Sequence, residues 1–336
     1  MLKIDAGIPD ILADVPEQAA KLERLGYDGL ACAETAHDPF MPLALAAEHT
    51  SRVELMTSIA VGFARNPMVL ANLAHDLNAY SKGRFSLGIG SQIKPHITKR
   101  FSMEWSDPAA RMKEMIQAIH AIWDCWYDGT PLKFRGDYYQ HTLMTPLFTP
   151  KDIDHGRAKI LLAAVGPLMT RTAAEVADGL LIHAFTTPRY LKEVTAPVVE
   201  ETLSQSGRAR GDFQMVYPAF IVTGETEEQF EKWKKITRER IAFYGSTPAY
   251  KGVLDLHGWG DVQPELNRLS KEGKWVEMGT LIEDDILDAF AVVGEPDVVI
   301  GKLKERFEGV VDRLFVSFPD LPEDRVGQLI DQMKAA

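Results

Sequence analysis

84-RFSLGIGSQIKP-95 reads as a β-strand that ends in two glycines, and it admits two different folds. A dinucleotide-binding turn needs G-x-G-x-x-G: the first glycine tightens the turn, the second lets backbone touch the pyrophosphate, and the third seats the helix on the strand. Here the third position is Ile93, and Pro95 follows where a helix should open. Such fingerprints also belong to the first βα unit, whereas this stretch lies well inside the chain. It is therefore read as one internal strand of a longer series, and the length of that series decides the fold.

Working outward, short β-rich runs alternate with helical segments from end to end. The strand candidates are 2-LKIDAGI-8, 29-GLACAE-34, 53-VELMTSIAVG-62, 85-FSLGIG-90, 159-KILLAAV-165, 180-LLIHAF-185, 213-FQMVYPAFIVT-223 and 313-RLFVSF-318. Between them lie segments with apolar residues three and four apart, such as 68-MVLANLAHDLNAYS-81 and 171-RTAAEVADG-179. Asp14 before Pro16, Asn66-Pro67, Asp107-Pro108 and Thr187-Pro188 each place a capping residue beside a proline suited to a first helical turn. Strict alternation of this kind predicts an α/β fold, a (β/α)8 TIM barrel in one domain over 1–336, rather than a doubly wound sheet. Three stretches exceed ordinary connections and are read as insertions near 91–107, 125–158 and 244–285. The last, with Tyr244, Tyr250 and Trp259 among glycines, suits either a loop capping a pocket or an aromatic-rich packing or subunit contact.

Composition narrows the function. The 336 residues are 46% apolar and 25% charged, which is ordinary for a globular protein with a large core. Lys and Arg number 37 against 48 Asp and Glu, a balance of −11 that disfavours a nucleic-acid or anionic-membrane surface. Cys32 and Cys125 are too few for a disulfide framework and lack metal-site spacing. The start, MLKIDAGIPD, has no signal-like pattern, and no apolar run is long enough to span a bilayer. A cytoplasmic protein acting on a small-molecule substrate is expected.

In such a barrel the chemistry sits at the C-terminal strand ends. The second strand ends with Glu34, His37 and Asp38. His37 beside two carboxylates is suited to general acid or base work, or equally to a capping role. The fifth ends in 163-AAVGPLM-169, a bare turn opening a helix. It reads either as an anion site at a helix N-terminus or as a tight βα turn. His183, within LLIHAF, has apolar neighbours and is the weaker candidate. His49, His75 and His120 lie in helical patterns and read as structural or solvated. No metal motif occurs, and a second strand-end carboxylate facing Glu34, as a glycosidase would need, is missing.

Three blocks carry a resemblance: 25-LGYDGLACAETAHDPFMPLALAAEHTSRVELMTSIAVGFARNPMVLANLAHDLNAYSKGRFSLGIGSQIKPHITKRF-101, 163-AAVGPLMTRTAAEVADGLLIH-183 and 290-FAVVGEPDVVIGKL-303. Together they resemble the luciferase-like monooxygenase superfamily, in its branch that uses the deazaflavin coenzyme F420. The resemblance implies a luciferase-like barrel in which Gly90, Ser91 and Gln92 end the fourth strand beside the flavin-like ring. It implies a non-prolyl cis peptide at Ser58-Ile59 against that ring, and a cofactor phosphate held at Ala164, Val165 and Gly166. Glu34 and His37 would contact the ring or the reacting substrate, and His183 would line the substrate pocket. Lys99 and Arg100 would meet the coenzyme's polyglutamate tail, or form a solvated loop pair. The implied activity is hydride transfer between the deazaflavin and an organic substrate, in a homodimer or larger homo-oligomer. An FMN-dependent monooxygenase and a non-catalytic flavin-binding barrel are the alternatives.

Overall fold

The computed structural model describes residues 2–335. Eight parallel strands are β1 Lys3–Gly7, β2 Gly29–Cys32, β3 Glu54–Thr57, β4 Phe85–Gly90, β5 Lys159–Ala164, β6 Gly179–Ile182, β7 Gln214–Pro218 and β8 Arg313–Phe315. Each pairs with its sequence neighbour, β8 returns to β1, and the β3–β4 pairing (Leu55 with Phe85, Met56 with Ser86) completes the ring. The result is a closed (β/α)8 barrel, so 84-RFSLGIGSQIKP-95 is its fourth strand and the loop that follows.

The two glycines of that strand differ in what they permit. A Cβ on Gly88 would lie 1.9 Å from the Thr57 carbonyl oxygen, so only glycine lets β4 approach β3 this closely. The Thr57 hydroxyl fills the gap, accepting from the Gly88 N–H at 2.9 Å and donating to the Gly88 carbonyl at 2.7 Å. At Gly90 a Cβ would sit 3.2 Å from Ile59 and 3.3 Å from Ala163, a tight but less absolute constraint.

Two expected strands are interrupted. The run 53–62 breaks after Thr57: the Ser58-Ile59 peptide is cis, the Ser58 N–H reaches the Cys32 carbonyl, and Ala60–Val61 resumes pairing on β4. The run 213–223 breaks at Pro218, and Phe220–Val222 leaves the barrel to pair with Ala291–Val293. That last strand was missed, because its three residues directly follow the helix Asp284–Phe290. Proline-opened helices occur at Pro67–Tyr80, Pro108–Asp128 and Pro167–Val176. Asn66 and Thr187 cap their helices by accepting a main-chain N–H, whereas Asp14 and Asp107 do not.

Side chains of Ala31, Met56, Leu161, Leu181 and Val216 fill the barrel's middle layer, as expected for a packed interior. Beneath them, at the N-terminal ends of the strands, lies a buried ion cluster. Arg313 grips Asp5 with two bonds of 2.7 and 2.6 Å and reaches Glu54 at 2.5 Å, and Lys3 pairs with Glu54 from outside. Arg313 and Asp5 are fully buried, and Gly29 makes room for them: a Cβ there would lie 2.4 Å from Arg313.

The long connections are structured. After β4 comes a short helical turn, His96–Arg100. The helix Pro108–Asp128 runs into the second stretch, which continues as the hairpin Phe134–Arg135 with Gln140–His141. The third is helical, with Lys251–Leu256, Val262–Lys271 and Trp275–Thr280. These helices share a second apolar cluster with Phe185 and Tyr190, placing a helical cap over the end of β6. Among the described residues no helix is long and apolar enough to cross a membrane.

Candidate active site

Residues following β2, β3, β4, β5 and β6 converge at the C-terminal end of the barrel. Its floor is apolar: Ile59, Ala163 and Phe315 are partly buried against the interior layer. Ile59 holds its place through the break in β3, and the Glu34 N–H donates to the Ile59 carbonyl at 3.1 Å.

Glu34 anchors this corner. Its carboxylate accepts the Val61 N–H at 2.7 Å and Arg65 at 2.6 Å, and its side chain is only 6% exposed. Arg65 also pairs with Asp38 at 2.6 Å and covers the Phe40 ring at 5.4 Å. Arg65 was not singled out from sequence; its position four residues past the β4-pairing Val61 and just before the Asn66 cap offered the only signal. With two donors already on one oxygen, Glu34 is built to hold the β2 and β3 ends together. His37, three residues on, is exposed and makes no hydrogen bond within the described residues, so its imidazole is free at the rim.

After β5, Gly166 precedes the helix Pro167–Val176 with no side-chain cap, and nothing lies within 4 Å of the Cβ position of Gly166. The first-turn N–H groups are thus open to an acceptor, and the helix dipole adds positive potential there. Ala164 and Val165 share a narrow cavity with His183, Phe185, Thr186 and Tyr190. The Thr186 hydroxyl in its wall is buried without a partner.

His183 is held among aromatic rings. Tyr244, at the end of the helix Glu227–Gly245, meets it edge-on at 4.7 Å between centroids, and Tyr250 lies at 4.6 Å. Burial pushes its imidazole down to a pKa of about 4. Tyr244 and Tyr250 therefore pack against the end of β6 around His183.

After β4, Gln92 adopts a left-handed conformation (φ 59°), and its side-chain oxygen accepts the Ile93 N–H. The Ser91 hydroxyl donates to the Gln92 carbonyl. Arg100 donates to the Thr35 carbonyl, while the Thr35 hydroxyl bonds Asp10 at 3.1 Å, so the loops after β1, β2 and β4 are joined along the rim. Lys99 beside it is exposed and unbonded within the described residues. His75 and His120 are structural: His75 bonds Tyr127 and Asp152, and His120 bonds the Val176 carbonyl. Among the described residues no cluster of His, Cys, Asp and Glu could hold a metal ion.

A flat, anionic ring cofactor fits this arrangement. The apolar floor offers a face for a ring, and the uncapped helix N-terminus offers donors to a phosphate.

Residues 4–313 match the family model described as luciferase-like monooxygenase. An uncharacterized protein of Mycobacterium tuberculosis is 53% identical over 317 residues, covering 94% of this chain and 93% of its own. The 5,10-methylenetetrahydromethanopterin reductase of Methanopyrus kandleri is 25% identical over 356 residues, covering 99% and 98%. The solved structure of the coenzyme F420 dependent tetrahydromethanopterin reductase from the same organism superposes with a TM-score of 0.81 at 21% identity, covering 99% and 98%.

Proposed function

Because the chain belongs to the luciferase-like monooxygenase family, we propose that it is an oxidoreductase of the deazaflavin branch, moving a hydride between coenzyme F420 and a small organic substrate. The observation that carries this reading is the juxtaposition, at one end of the barrel, of the uncapped helix at Gly166 and the apolar floor of Ile59, Ala163 and Phe315. A bound 5-deazaflavin exchanges a hydride at C5 and reacts poorly with oxygen, so the protein's task is alignment and exclusion of water.

In this reading Ala164, Val165 and Gly166 bind the cofactor phosphate through main-chain N–H groups. Ser58, Ile59 and Gly90 form the surface beneath the ring, with Ser91 and Gln92 shaping the loop beside it. Glu34 keeps that surface in place by tying Val61 and Arg65 to the end of β2, acting as a positioning residue. His37 takes the hydroxyl proton when an alcohol loses a hydride to become a carbonyl, and returns it in the reverse direction. Lys99, exposed at the rim, meets the anionic tail. Arg100 is occupied by Thr35.

The test is anaerobic turnover with coenzyme F420 and a panel of deuterated secondary alcohols, following the coenzyme's absorbance and the isotope at C5. Deuterium delivered to C5 supports the proposal. Oxygen-dependent turnover with FMN would replace it with the monooxygenase reading, and binding without turnover of any donor would favour a non-catalytic barrel.

A further inference from the structure

His37 carries the proton in the mechanism above, yet within the described residues no hydrogen bond holds its exposed ring. Its position is therefore set by the backbone of 35–38, and that stretch is exposed as well. Two ties flank it. On one side Arg100 and Asp10 hold Thr35. On the other, Asp38 uses both carboxylate oxygens: Oδ1 accepts the Phe40 N–H at 2.9 Å, where the next helix begins, and Oδ2 accepts Arg65 Nη2 at 2.6 Å. Arg65 is the rigid side of that contact. Its main-chain N–H donates to the Gly62 carbonyl at 2.9 Å, Asn66 after it caps the helix Pro67–Tyr80, and its guanidinium lies over the buried Phe40 ring. Nη1 donates to Glu34 at 2.6 Å and to the Val61 carbonyl at 3.2 Å. One guanidinium thus spans two carboxylates, Glu34 before His37 and Asp38 after it. Arginine's planar fork suits that span, whereas lysine offers a single point charge.

Resting on the assignment of proton exchange to His37, we propose that Arg65 is the positioning residue for His37, with a different task for each end of its guanidinium. The Glu34 end is buried and joins the ends of β2 and β3, with the Glu34 side chain 6% exposed. The Asp38 end faces a side chain that is 49% exposed. An ion pair so exposed adds little to stability, but this one fixes the backbone on which His37 sits. General-base catalysis depends steeply on placement, so loosening this end costs rate and not fold. Two substitutions separate the ends. Arg65→Lys keeps a cation for the buried Glu34 and releases Asp38. Asp38→Asn leaves the Glu34–Arg65 pair intact, and its single amide oxygen cannot serve the Phe40 N–H and Arg65 together.

The experiment pairs nitrogen-15 relaxation of the 35–38 backbone amides, in the free full chain, with turnover of coenzyme F420 and the secondary alcohol that reacts in the panel above. In the native protein, order parameters of about 0.85 are expected at these amides, falling below about 0.6 in both variants. Each variant should lose about tenfold in kcat, with the dissociation constant of the coenzyme within about threefold of native. The solvent deuterium effect on kcat should rise in each, because a misplaced imidazole slows the proton transfer. A mere loss of folded protein scales the rate and leaves that effect unchanged. In a His37→Asn background, Asp38→Asn should cost nothing further, since the clamp then has no proton carrier to place. A mobile native loop, unchanged order or unchanged kcat in the variants, an unaltered solvent effect, a further loss in the His37→Asn background, or a loss of coenzyme affinity would each overturn the proposal. If no alcohol turns over with coenzyme F420, the hydride-transfer reading falls by itself, and the relaxation data still decide whether Arg65 and Asp38 hold the loop.

Discussion

At the scale of single residues, the proposed mechanism gives His37 a proton to exchange and Glu34 a surface to hold. His37→Asn is expected to lower turnover by about a hundredfold while leaving cofactor affinity nearly unchanged, as measured by steady-state kinetics beside fluorescence titration. Unchanged turnover would remove His37 from the mechanism. Glu34→Gln weakens two charge-assisted bonds in a buried corner. It should lower stability by about 2–3 kcal/mol, read by denaturant unfolding, and weaken cofactor binding with it. His183 makes stability depend on pH. Its folded pKa, about 4, lies below the unfolded value near 6.5, so the unfolded chain binds more protons between those values. Stability is therefore full above about pH 6.5 and falls as the pH drops toward 4, by at most about 3 kcal/mol from this group. His183→Gln should flatten that slope. Residue type and strand-end position made His37 and Glu34 visible in the sequence. Neither signal could show that Glu34 is already occupied by Arg65, because that pairing depends on how β3 breaks at Ser58-Ile59.

At the scale of elements, the uncapped helix Pro167–Val176 gives a sharp test. Gly166→Asp places a carboxylate where an Asp is a good N-cap, and the Cβ meets nothing within 4 Å. The helix should gain up to about 1 kcal/mol, while affinity for a phosphate-bearing cofactor should fall. A melting temperature that holds or rises with weakened binding is the expected pair of results; unchanged binding would remove the phosphate from this turn. Gly88→Ala is the contrasting case, because its Cβ would overlap the Thr57 carbonyl, and a loss of about 2–4 kcal/mol is expected in thermal unfolding. All eight barrel strands were legible, since each is a short apolar run between turn residues. Ala291–Val293 was not, because three residues carry too little periodicity to separate from the preceding helix. The 244–285 stretch likewise read as loop, although its short helices are amphipathic, because Gly258, Gly260 and Gly273 punctuate it.

At the scale of the whole molecule, the barrel divides into a functional end and a stabilising end. The Asp5–Arg313–Glu54 cluster closes the N-terminal face far from His37 and Gly166 along the strands. Arg313→Met leaves the buried Asp5 without its partner, and should cost about 3–5 kcal/mol of stability while kcat of the folded fraction is unchanged. A kcat effect at full folding would mean the two ends are coupled. The fold was readable because strict strand–helix alternation has few three-dimensional solutions. The surroundings of His183 were not, because Tyr244, Tyr250 and Phe185 reach it and one another from segments far apart in sequence. The central claim is met most directly by titrating the purified, cofactor-free protein with coenzyme F420 and, separately, with FMN, following fluorescence and thermal stabilisation. Micromolar or tighter binding of coenzyme F420 with weak or no binding of FMN is the predicted result; preference for FMN, or binding of neither, would contradict it.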